Sequence, residues 1–99
     1  MLLHILNREP GHQVTQQALN AMGPHDHLVL IEEAVTAVLA TQWEGWRMAS
    51  NKISVLHEDL VLRGLASEEC LHEALNYRVI DINGLIELTV KYPKNITWH

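Results

Sequence analysis

Leu28, Val29, Leu30 and Ile31 form a run with no polar position. A strand with one wet face alternates apolar and polar residues, so an unbroken run marks a strand covered on both sides, as in parallel sheets. That excludes an open, one-sided antiparallel sheet and calls for helices on both faces. Three further short apolar runs, at residues 2–6, 53–56 and 79–82, are spaced along the chain, each followed by a turn and a stretch of different period. Strands alternating with helices predict an α/β chain with crossover connections.

The helical stretches read as follows. Val14, Ala18, Ala21 and Met22 share a face, and Gly23 and Pro24 close that helix. Glu32 and Glu33 suit the positive end of a helix carrying Ala34, Val35, Ala37, Val38 and Leu39, which fades near Trp43 to Trp46, where Gly45 intrudes. Residues 58–63 form a short helix stopped by Gly64, and Ser67 is a fair N-cap for another reaching about Leu75. Asp81, Asn83 and Gly84 break the fourth strand; Leu85, Leu88 and Tyr92 then share a helical face widened by Ile86 and Val90, and Pro93 ends it. The tail is polar except for Ile96 and Trp98, and Trp98 is expected to lie on its own sheet edge or at a subunit contact. The fold expected is a three-layer α/β/α sandwich with a small, mainly parallel sheet of about four strands, one domain over residues 1–99.

With 99 residues and 47% hydrophobic content, the chain suits one core without disulfides. Its net charge is −5, and its seven Lys and Arg are scattered in sequence with no basic stripe, which disfavours direct nucleic-acid binding. A lone cysteine fits a reducing compartment. The apolar start is too short for a signal peptide or a membrane span, so a soluble cytoplasmic protein is expected.

Ligands of open parallel sheets bind at the carboxyl ends of the strands. Four polar clusters fall there: Asn7, Arg8 and Glu9; Glu32 and Glu33; His57, Glu58 and Asp59; Asp81 and Asn83. They could line a pocket with His57 as acid or base. The plainer reading is that loops and helix starts are polar anyway and acids there complement dipoles, since no motif here fixes a reaction. His25 and His27 flank Asp26 in an H-x-H pair that lacks a third metal ligand at a recognised spacing; a solvated turn is the plainer reading. Cys70 follows Glu68 and Glu69, which raise a thiol's pKa, while a helix start at Ser67 would lower it. It is read as a bland thiol, with a persulfide carrier as the alternative. Trp43 and Trp46 suit core packing or an interface. No catalytic, cofactor-binding or metal-binding residue is assigned.

Four segments together resemble a known family: LHILNR at residues 3–8, DHLVLIEEAVTAVL at 26–39, VLHEDLVLRGL at 55–65 and IDINGLIELTVKYPKNITW at 80–98. They are similar to the TusB/DsrH family of sulfur-relay subunits, with DsrEFH-like folds. The most specific pieces are Glu58 to Leu65 and the ending from Glu87 to Trp98. The resemblance implies an α/β/α domain that assembles with TusC- and TusD-like subunits. Such a complex takes persulfide sulfur from a TusA-like carrier and passes it through a TusE-like one towards 2-thiolation of the tRNA wobble uridine. The acting cysteine is the TusD-like subunit's, which makes this chain a non-catalytic partner. Some DsrH proteins carry an early cysteine that is missing here, so the resemblance leans to the TusB side. The alternatives are a DsrH-like subunit of a sulfur-oxidation complex and a sulfurtransferase using Cys70. Studied alone, the chain is expected to be capable of self-association.

Overall fold

A computed structural model describes residues 1–49, 52–67 and 75–99. Five parallel strands make one sheet: β1 (Leu3–Leu6), β2 (His27–Leu30), β3 (Ile53–Leu56), β4 (Arg78–Ile80) and β5 (Asn95–Trp98), in the order β4-β3-β2-β1-β5. Between them lie α1 (Gln13–Ala21), a 3-10 helix (Glu32–Leu39), α2 (Gly45–Met48), α3 (His57–Leu62) and α4 (Ile82–Lys91).

The connections explain the layers. From β1 to β4 the chain steps in one direction across the sheet, so right-handed crossovers put their helices on one face. The step from β4 to β5 runs back across the whole sheet, so the same handedness puts α4 on the other face. The core divides accordingly. One side packs Leu6, Leu28, Leu30, Ile53 and Val55 against Ala18 and Leu19 of α1, Val35 and Val38 of the 3-10 helix, Trp46 and Leu60. The other packs Leu3, Val29 and half-buried Ile5, Ile31 and Ile80 against Leu85, Leu88 and Tyr92. Alternate residues of the Leu28–Ile31 run thus serve opposite cores, as its unbroken apolar pattern requires.

Several expectations need correction. The sheet has five strands, because the polar-looking tail pairs with β1 in the register Leu3–Asn95 to Leu6–Trp98. Ile82, read with the fourth strand, is the first residue of α4, because Asp81, which breaks the strand as expected, is the N-cap, its carboxylate accepting from the Gly84 N–H at 2.8 Å. α1 buries Thr15, Ala18 and Leu19, leaving Ala21 exposed. Thr15 is tolerated there because its hydroxyl donates to the Glu9 and Arg8 carbonyls, at 2.7 and 3.1 Å. Gly45 begins α2 rather than ending a longer helix, and Trp46 folds back to donate to the Ala40 carbonyl at 3.0 Å. The helix expected from Ser67 to Leu75 falls largely outside the described residues, as does Cys70.

Candidate functional site

The carboxyl ends of the strands gather the polar clusters, but the carboxylates of Glu58, Asp59 and Asp81 are already engaged. Asp59 accepts from the Glu32 N–H at 2.6 Å, and Glu58 from the Ile82 N–H at 3.0 Å. Each carboxylate of α3 therefore braces the turn after a neighbouring strand: β2 on one side and β4 on the other. The first brace holds Glu32 in the left-handed region, φ 49°, an unusual place for a non-glycine residue. Glu9 keeps its proton less readily than a free carboxyl. Its own backbone N–H is the main cause, followed by a hydrogen bond with Glu33 and the positive fields of His12 and Arg8. His57 is exposed beside Val79, Asp81 and Gly84 on a shallow concavity. The sequence located this rim correctly; the structure makes it a set of cross-braces. Next to it, buried Asn7 Oδ1 and Arg8 Nε have no hydrogen-bond partner among the described residues.

The H-x-H turn is not solvated at its centre. Asp26 is buried, accepting from the Leu2 and Gly23 N–H groups at 2.8 and 2.9 Å, and from His4 Nε2 at 2.9 Å. The other His4 nitrogen, Nδ1, lies 3.0 Å from the Trp98 indole N–H. An indole nitrogen only donates, so Nδ1 is the unprotonated acceptor and Nε2–H points at Asp26. His25 is exposed and His27 starts β2, so the two histidines do not converge. Among the described residues no three His, Cys, Asp or Glu side chains are placed to hold a metal. Trp43 and Trp46 meet edge to face at 5.4 Å, and Tyr77 covers Trp46 at 5.3 Å, which is core packing.

A second hollow, of about 640 Å³, lies elsewhere: at the amino ends of β2 to β4, on the face that α4 covers. A helix is about 10 Å wide, whereas five strands at 4.7–4.9 Å spacing extend to roughly twice that. One helix leaves part of the face uncovered, and the hollow is the remainder. His27, Ser54 and Arg78 line its sheet side, with His27 Nε2 2.7 Å from Ser54 Oγ. Lys91 and Tyr92 come from the end of α4, and Lys52 from the start of β3. Burial, first, and then the fields of Lys91, Arg78 and Lys52 hold the His27 pKa below its usual value. Sequence reading missed this place, since three cations from three segments converge only in the fold. The available signals were a serine inside an otherwise apolar strand and a histidine opening another.

Residues 10–95 match the family described as DsrH like protein. The chain belongs to the DsrH-like family. Protein TusB of Escherichia coli strain K12 is 31% identical over 99 residues, covering 98% of this chain and all of that one. Protein TusB of Shigella flexneri is similar to the same extent, and that of Pectobacterium parmentieri is 30% identical with the same coverage. The match to the DsrH-like family takes in α1 to α4 and the first residue of β5, so the braces made by Glu58, Asp59 and Asp81 and the hollow lie within it. Among the described residues no helix is long and apolar enough to cross a membrane.

Proposed function

We propose that this chain is a non-catalytic subunit of a cytoplasmic, TusBCD-like sulfur-relay complex, acting in 2-thiolation of the tRNA wobble uridine. The observation that carries this is end-to-end similarity to proteins named TusB, with essentially the whole of both chains aligned. The chain folds as one domain around its sheet and assembles with TusC- and TusD-like neighbours. Sulfur moves on the neighbours' cysteines and on TusA- and TusE-like carriers. The braced rim supports this reading, because Glu58, Asp59 and Asp81 hold backbone groups at the place where an α/β enzyme would present its catalytic side chains.

The test is co-expression with the neighbours encoded beside it, followed by analysis of tRNA from a deletion strain. A stable hetero-oligomer and lost 2-thiouridine are expected. A chain that elutes alone, or unchanged thiolation, would sink the proposal. Cys70→Ser is expected to restore thiolation to the deletion strain. Failure of a folded Cys70→Ser chain to do so would transfer the sulfur-carrying role to this subunit.

A further inference from the structure

The hollow beneath α4 gathers positive charge in an acidic protein. Three of the seven Lys and Arg in a chain of net charge −5 line it: Lys52, Arg78 and Lys91. Among the described residues none of the three has a carboxylate within ion-pair distance. Lys91 instead lies 5.7 Å from the centre of the Tyr92 ring. One carboxylate, Glu87, shares the lining. Unpaired cations around a concave, low-dielectric surface focus the field and raise the local concentration of anions. The position of Lys91 in the last turn of α4 also offsets the negative end of that helix, which faces the same space.

The remaining walls add a second requirement. Ser54 is almost fully buried yet has its hydroxyl on His27 rather than on backbone. Ile80, Leu88 and the ring of Tyr92 are apolar. The volume, about 640 Å³, is that of a small-molecule site and larger than a bare inorganic anion needs. Arg78 offers a planar fork suited to two phosphate oxygens, and the two lysines add point charges.

We propose that this hollow is a binding site for a small phosphorylated molecule, its phosphate held by Lys52, Arg78 and Lys91 and its apolar body against Tyr92 and Leu88. The inference rests on the hollow alone and stands whether or not the chain serves a sulfur relay.

The experiment uses the full chain with two probes, inorganic phosphate and phenyl phosphate, followed by NMR. Phenyl phosphate is expected to give saturable shifts at His27, Ser54 and Arg78 and to bind several-fold more tightly than inorganic phosphate. The His27 imidazole is expected to titrate at higher pH when the probe is bound, because a bound anion opposes the three cations. Arg78→Gln, an exposed change that spares the core, should weaken binding by about tenfold. Glu87→Gln should tighten it, and Arg47→Gln, on the other face, should leave it unchanged. No saturable shift at His27, or equal losses from Arg47→Gln and Arg78→Gln, would show charge screening in place of a site. Repeating the titration on the complex with its neighbours supplies one more outcome: if assembly abolishes binding, the hollow is a subunit contact and the small-molecule site is rejected.

Discussion

The Asp26 carboxylate ties its own turn to the amino-terminal strand and, through His4, to the last strand. It accepts from Leu2 at the amino terminus, Gly23 after α1 and His4 in β1, and His4 passes the connection to Trp98 in the last strand. Burial alone would raise the Asp26 pKa. The His4 hydrogen bond and the two backbone donors outweigh it and hold the carboxyl at about 2, against 3.8 for the free group. The folded state therefore binds this proton more weakly than the unfolded one. The stabilisation, about 2 kcal/mol by linkage, is complete above the unfolded value and is lost as pH falls towards the folded one. Urea unfolding between pH 5 and 2 should show this loss in the native chain, and Asp26→Asn should flatten it while costing about 1–3 kcal/mol at neutral pH. Trp98→Phe tests the far end. It keeps a ring against His4 but leaves buried Nδ1 without a donor, at an expected cost of about 1–2 kcal/mol in the same assay. Equal stability of Trp98→Phe and the native chain would mean that the tail contributes packing alone. His27 acts in the same direction as Asp26 at higher pH. Its folded pKa is lowered, so protonation favours the unfolded chain as pH drops below about 6.5.

At the scale of elements, much of this fold was readable because its strands are short and apolar and its breakers are sharp. Residues 53–56 were located to the residue, and Gly64 stops α3 with a positive φ of 68°, where a side chain would be strained. The fifth strand was not readable as a strand. An edge strand has one neighbour, and here Trp98 alone of the β5 residues packs against the core while the other three are exposed. The braced rim was readable as a location but not as a structure, since the partners of Glu58 and Asp59 are backbone groups of other turns. Gly84 shows how an element can look wrong locally yet be required by packing. Glycine inside a helix costs about 1 kcal/mol relative to alanine. Here an added Cβ would come within 2.9 Å of the Ile80 Cβ, a branched carbon held by the strand backbone. Gly84→Ala should therefore lower stability by about 1–3 kcal/mol in spite of its better helix propensity, as overpacking does. A higher Tm for the alanine variant would show that α4 can lift off β4 without loss.

The whole molecule is asymmetric across its sheet. Among the described residues, α1, α2, α3 and the 3-10 helix cover one face and α4 the other, with no residue of α4 fully buried. Its inner side meets the sheet through Leu85 and Leu88, while Ile82, Ile86 and Val90 lie on its outer side, exposed by 49, 55 and 78%. Their spacing of four residues makes a continuous apolar stripe along a helix in contact with solvent. A helix facing water normally turns a charged side outward, and contiguous exposed apolar surface marks contact sites. If the chain is a subunit of the complex proposed above, this stripe is where a TusC- or TusD-like neighbour is expected to lie. Ile86→Glu separates that role from folding. Because the side chain points away from the core, the isolated variant should unfold within about 0.5 kcal/mol of the native chain. In the assembly the same carboxylate would be buried without a partner, at a cost of several kcal/mol. Co-purification with the neighbours should therefore fail for Ile86→Glu while circular dichroism and urea midpoint stay unchanged. A variant that still co-purifies in full yield would place the contact on another surface, and one that unfolds early would show that Ile86 belongs to the chain's own core.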